Sequence, residues 1–264
     1  MRLIKLTSLL FNKIMSSKKD LTREELVYLA KIYEKVKRYP DMVETINKFV
    51  KLNPKLTKNE RKILCSGYKN IISDKRASWR LLNSLEKKES KKNSPQVEYI
   101  KMVKKTVESE LNKIIEEICS IIENYLEPNS LDTETKVFYK KIKADYLRYK
   151  CEYKIGKEFK EVCSKAESIY KEAYDLANEN IPISSSTRLG LALNYSVFFY
   201  EIKGLKEEAM KIAKNAFDEC MKAMDVLERT KPKDTILIIQ LLKENLLLWD
   251  NEFEDKSDKD ENFS

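Results

Sequence analysis

Histidine is absent from this chain. Its absence removes the side chain most often used as a general base, the commonest zinc ligand and every catalytic triad built on imidazole. Glycine is nearly as scarce, with four in 264 residues. Loops that cradle phosphate and tight hairpins need glycine at positive φ, so neither a P-loop nor a dinucleotide fingerprint is available. The five cysteines, Cys65, Cys119, Cys151, Cys163 and Cys220, are widely separated and form no C-x-x-C pair. They read as reduced, mostly buried small hydrophobes of a cytoplasmic protein. No apolar run reaches the ~18 residues needed to span a bilayer. No nucleophile and base pair, metal cluster or cofactor motif can be named, which argues against an enzyme.

What is present is helix after helix. Residues are 42% hydrophobic and 36% charged, enough for a sizeable core in one or two domains. Apolar residues recur at three and four spacings through residues 21–250, broken by short polar or proline-containing joints. The pattern predicts helices over roughly 22–38, 41–52, 58–88, 95–126, 133–153, 158–179, 186–203, 206–229 and 234–250. Pro54, Pro95, Pro128 and Pro182 fall at the joints. The fold class is therefore all-α, a bundle of nine helices whose short connections make neighbours antiparallel. No regular repeat of the tetratricopeptide kind is found.

Both ends differ from this body, giving three segments: 1–20, 21–250 and 251–264. Met1 to Asp20 carries Leu3, Ile4, Leu6, Leu9, Leu10, Phe11, Ile14 and Met15 with Arg2, Lys5, Lys13, Lys18 and Lys19. That basic amphipathic composition permits a transit peptide or membrane-surface helix. An extra helix docked on the bundle, or an upstream extension with translation beginning at Met15, is preferred, since a secretory cleavage pattern is missing. Asn251 to Ser264 is acidic and without apolar period, the composition of a disordered tail. Net charge is +8 overall, so a basic helical scaffold for nucleic acid or anionic membrane is an alternative reading. The lysines are interspersed with glutamates, which favours a solvated surface instead.

Three helical stripes carry chemistry. In Arg188 to Ile202, Leu193, Asn194, Val197 and Glu201 share one face, while Tyr195, Phe198, Phe199 and Ile202 lie on the others. One side must be core; the other can line a groove where an amide beside aliphatic neighbours suits an extended peptide backbone. Lys69, Ser73, Arg76 and Arg80 stand at i, i+4, i+7 and i+11, beside a stripe of Tyr68, Ile72 and Trp79 that anchors their helix in the core. Lys141, Asp145 and Arg148 repeat the arrangement, and Tyr149 adds a hydroxyl next to Arg148. Without a glycine loop, a dianionic phosphate must be held by side-chain forks, and two arginines, a lysine and a tyrosine can satisfy its oxygens. Asp145 is placed to hold an arginine before ligand arrives. Taken singly, such stripes are also the pattern of ordinary solvated faces.

The segments Gly67-Tyr68-Lys69-Asn70, Ser78-Trp79-Arg80, Lys136-Val137-Phe138-Tyr139, Asp145-Tyr146-Leu147-Arg148-Tyr149, Arg188 to Val197 and Ile239 to Trp249 together resemble the 14-3-3 family in order and spacing, over about residues 21–250. The resemblance implies a nine-helix antiparallel bundle, normally a cup-shaped dimer with one amphipathic groove per subunit. It further implies a phosphoserine/phosphothreonine-dependent adaptor that holds phosphorylated segments of client proteins and alters their conformation, location or activity, with no catalytic step and no cofactor. By resemblance the phosphate pocket falls on Lys69, Arg76, Arg148 and Tyr149. Asn194 and Asn245 match the asparagines that bond the ligand backbone, and Lys141 and Glu201 match further polar groove positions. Leu193, Val197, Ile238, Leu241, Leu248 and Trp249 correspond to the apolar wall.

Departures cluster away from the pocket. Lys62 and Cys65 replace a small residue and a serine of one family signature, and Glu244 and Leu247 replace an aspartate and a threonine of another. At the dimer surface, Arg38, Asp41 and Glu110 match three positions of two ion pairs usually formed across the interface. Thr106 stands where the lysine would be, and Val103 where an aromatic residue is common. Ile32, Val36, Leu82 and Leu85 still offer an apolar seam, so a homodimer or heterodimer of altered, weakened stability is expected. The family is generally acidic, which makes the +8 charge a further departure. Self-binding of the acidic tail through Asp258, Asp260, Glu261 or a phosphorylated Ser264 is a further expectation.

Overall fold

The computed structural model describes residues 21–226 and 233–261, with side chains over 21–223 and 233–251. Nine α-helices and no strand occur among the described residues: α1 (Arg23–Lys35), α2 (Tyr39–Leu52), α3 (Lys58–Ser90), α4 (Val97–Ile121), α5 (Thr133–Cys151), α6 (Gly156–Asn180), α7 (Ser186–Val197), α8 (Lys206–Val226) and α9 (Lys233–Glu261). π-Helical turns extend α4 over Ile122–Leu126 and α7 over Phe198–Lys203. The chain divides into two compact units, residues 1–74 and 75–264.

In the first unit, α1 begins with a reciprocal cap. The Thr22 hydroxyl accepts from the Glu25 N–H, and the Glu25 carboxylate accepts from the Thr22 N–H at 2.8 Å. The helix stops at Lys35, three residues before the predicted end, because Lys37 takes a left-handed conformation (φ 57°) and Pro40 then opens α2. Met42, Ile46, Phe49 and Val50 of α2 are fully buried, with Leu64, Tyr68 and Ile72 of α3 at 1% exposure. The close packing depends on Gly67, where an added Cβ would stand 2.8 Å from the Ile46 Cδ1. The Tyr68 hydroxyl donates to the buried Asn47 amide oxygen at 2.8 Å.

The second unit is built on small residues. Cys163, Ala166, Tyr170, Ala173 and Ala177 form the inner stripe of α6, and Ala209, Ala213, Ala216 and Cys220 that of α8. Small side chains bring helix backbones close, and Tyr170, Tyr195, Phe198 and Phe199 fill the remaining volume with ring centres 4.8–6.5 Å apart. Helix α6 packs on α5, and α7, α8 and α9 pack on one another. All five cysteines are free thiols, with Cys151, Cys163 and Cys220 buried. Burial pushes the thiols of Cys119 and Cys151 up to about 11 and about 12. Trp79, expected in the core, is only half-buried; its indole N–H donates to Glu108 at 2.8 Å.

The C-terminal expectation needs correction. Helix α9 does not end near residue 250 but continues to Glu261. Neither glycine nor proline follows Trp249 to stop it, and acidic composition alone does not break a helix. Residues 1–20 and 262–264 lie outside the described residues, as does the end of the helix expected to reach 229.

Candidate functional site

Helix α5 supplies the centre of the site. Asp132 caps it by accepting from the Thr135 N–H at 2.7 Å, and its inner face buries Asp145 and Arg148, each 6% exposed. A buried carboxylate needs donors. Asp145 has three: the Lys141 ammonium at 2.7 Å, the Tyr170 hydroxyl at 2.5 Å and the Asn194 amide at 2.8 Å. The Tyr170 hydroxyl in turn accepts from Arg148 Nε at 3.3 Å. Asp145 thus steadies Arg148 through Tyr170, a residue that the sequence reading did not single out. Burial works against the Arg148 charge, yet the neighbouring Tyr170, Asp145 and Tyr149 outweigh it and hold its pKa above the ordinary guanidinium value. Burial, reinforced by Asp145 and opposed by Arg148, pushes the Tyr170 phenol well above its usual range, so it remains a donor.

Arg76 arrives from α3. Its guanidinium lies 3.8 Å from the Tyr149 ring centre, and that of Arg148 lies 4.8 Å from the same ring. Two like charges sharing one aromatic ring need counter-charge. Glu152 takes Arg76 in a two-pronged contact, Nε at 3.2 Å and Nη2 closer, and also pairs with Arg80 at 3.3 Å. Glu201 approaches Arg148 at 3.8 Å. Three of the four predicted phosphate-pocket residues, Arg76, Arg148 and Tyr149, are therefore brought together. Lys69, the fourth, belongs to the first unit and is exposed on α3 two turns before Arg76.

The groove residues sort into a polar and an apolar side. Gly190 of α7 is buried between the two sides, and an added Cβ would stand at ordinary contact distance, 3.6 Å from Lys141 Cε and 3.7 Å from Ile238 Cδ1. Leu193 and Val197 are partly buried against the core, whereas Leu241 and Leu248 of α9 are 39% and 56% exposed. Asn194 is engaged with Asp145, and Asn245 is half-buried on α9. Trp249 departs from its expected place on the groove wall. It is 3% exposed and stacks on Tyr200 at 4.5 Å, since it shares the inner face with Leu242, seven residues earlier. It backs the wall instead of forming its surface.

At the expected dimer surface, Ile32, Val36, Leu85 and Val103 are 38–58% exposed and Leu82 is half-buried. The ionic residues have partners within their own chain. Arg38 grips Asp41 at 2.8 and 3.1 Å, and Glu110 pairs with Lys75 at 2.6 Å. The sequence reading also passed over Glu152. Glu152 had a signal, since it follows Arg148 by four residues on the same helical face. Tyr170 had none, because its spacing with Ala166 and Ala173 reads as core.

Comparison with known proteins identifies the family. A family model described as 14-3-3 protein matches residues 29–250. The chain is 44% identical to the 14-3-3-like protein GF14 iota of Arabidopsis thaliana over 246 residues, covering 93% of this chain and 92% of that protein. It is 44% identical to the checkpoint signal transducer rad25 of Schizosaccharomyces pombe, over 88% of this chain and 87% of the relative. Against the 14-3-3-like protein D of Nicotiana tabacum identity is 42%, over 93% of this chain and the whole of that protein. With the family model matched over most of its length and relatives 42–44% identical, the chain belongs to the 14-3-3 family.

Proposed function

We propose that the chain is a phosphoserine/phosphothreonine-dependent adaptor that seats phosphorylated segments of client proteins beside Arg76, Arg148 and Tyr149 and performs no reaction on them. Family membership supports the adaptor role. The observation that carries the phosphate specificity is the pair of guanidinium groups over one tyrosine ring, one of them gripped by the Glu152 carboxylate. A carboxylate held by an arginine fork occupies the same kind of contact that a phosphate takes, and a dianion competes for it with greater charge. Lys69 is the third cation assigned by the family resemblance. The peptide backbone is then met by Asn194 and Asn245, and apolar client side chains by Leu241, Leu248 and Ile238.

Diffuse polyanion binding is less well supported, because several lysines of the second unit already pair with glutamates. Lys140 pairs with Glu127 and Glu172, Lys143 with Glu123, and Lys104 with Glu86. No helix among the described residues is long and apolar enough to cross a membrane, and a cytoplasmic working place is part of the proposal. The test is the affinity of a phosphoserine peptide against its unphosphorylated twin. Each charged hydrogen bond contributes about 1.5–3 kcal/mol, so Arg76→Ala or Arg148→Ala should each cost at least tenfold for the phosphopeptide and leave the twin unaffected. Equal affinity of wild-type protein for both peptides would overturn the reading.

A further inference from the structure

Helices α6, α7 and α8 of the second unit enclose a pocket of about 400 Å³, within the size range of small-molecule sites. Leu189, Ala192 and Ala216 form an apolar floor, each 5% exposed or less. Along α7, Arg188 and Ala192 fall opposite Asn194 and Val197, so this pocket and the groove use different faces of one helix.

The polar groups of the pocket are mostly donors. The Tyr174 phenol and the Asn178 and Asn215 amides line its walls, and none of these side chains forms a hydrogen bond among the described residues. Arg188 is the most enclosed of the polar side chains, at 16% exposure. Its Nη1 donates to the Ile181 carbonyl at 2.8 Å, which fixes the guanidinium, and its Nη2 meets Glu219 at 3.4 Å. That second contact is weak. Glu219 reaches Arg188 through one long bond while its side chain is 57% exposed, and exposed pairs of this kind contribute little. The other donors of Arg188 have no acceptor among the described residues. A carboxylate arriving from outside can accept from two guanidinium N–H groups at once, and the amides and phenol can donate to its remaining lone pairs.

We propose that this pocket binds a carboxylate carried on a small apolar body. The carboxylate takes the place of Glu219 on Arg188, and the apolar part lies on Leu189, Ala192 and Ala216. The exchange balances in charge, because Glu219 turns into solvent as the ligand enters. Two sources carry this chemistry, a free short-chain organic acid and the last residue of a peptide chain.

Ligand-observed NMR on the full chain tests this with 4-methylpentanoate, N-acetyl-leucine and the neutral N-acetyl-leucinamide. Ligands of about a dozen non-hydrogen atoms bind in the millimolar range, which suits the method. N-acetyl-leucine should bind at least tenfold more tightly than its amide. Arg188→Lys keeps the charge but loses the fork and should remove most of that preference. Asn178→Ala with Asn215→Ala should weaken the acid as well, and both positions are exposed, so the fold is not at stake. Glu219→Gln should tighten the acid at least twofold by removing the internal competitor. An N-acetylated tripeptide ending in leucine separates the sources. Binding as tight as that of N-acetyl-leucine makes a chain terminus the ligand, a preference for 4-methylpentanoate makes it a free acid, and either supports the site. Equal binding of acid and amide overturns the proposal. So does acid binding that survives both pocket variants but is lost in Arg76→Ala, which would place the carboxylate beside Tyr149 instead.

Discussion

Tyr170 serves two charged groups at once, donating to Asp145 and accepting from Arg148 while its ring lies 5.3 Å from that of Tyr195. Tyr170→Phe keeps the ring and removes the hydroxyl, which separates the polar role from the packing role. Buried groups left without a partner cost about 1–3 kcal/mol. Urea unfolding should show a loss of that size, and phosphopeptide affinity should fall because Arg148 is no longer braced. Wild-type affinity in a destabilised variant would confine Tyr170 to the core. At this scale the sequence reading was incomplete in a consistent way. Arg76, Arg148 and Tyr149 stood out because cations and hydroxyls at helical spacing are visible along the chain. Tyr170 was hidden because its bonds go to other helices.

Among the elements, apolar spacing located every helix within a few residues at most boundaries. It failed where the deciding factor is not periodicity. The end of α1 depends on the left-handed Lys37, and α9 runs on to Glu261 because nothing in its sequence stops it. The continuation matters for the tail. A helix carries Glu261 about 17 Å past Asp250 along its axis, so occupation of the pocket by the tail would first require that helix to unwind. Ser264, proposed as a phosphorylated anchor, lies outside the described residues. The α2–α3 contact gives a sharper test of packing. Gly67→Ala places a methyl against Ile46 Cδ1 and 3.3 Å from Val43 Cγ2, and overpacking of this kind costs about 1–3 kcal/mol. Adding Ile46→Val removes the clashing carbon, so the double variant should regain part of the loss in thermal or urea unfolding.

For the whole molecule, the exposed apolar side chains of the expected seam bear on association. We propose a dimer through Ile32 and Val36 of one copy and Leu82, Leu85 and Val103 of the other. Arg38, Asp41 and Glu110 can exchange their internal partners for external ones at little net cost, since exposed ion pairs contribute about 0–1 kcal/mol each. Sedimentation at micromolar concentration should find a dimer, and Ile32→Glu with Val36→Glu should weaken it at least tenfold. A monomer in the wild-type protein would remove the proposal. The shared Arg76–Tyr149–Arg148 cluster has one more consequence for a receptor without imidazole. Between about pH 5 and 8 it contains no side-chain type that ordinarily gains or loses a proton, whereas a phosphate ester passes its second ionisation near pH 6. On the proposed function, acidification would thus loosen a phosphorylated client by changing the client's own charge, while the cluster that holds it keeps its charge.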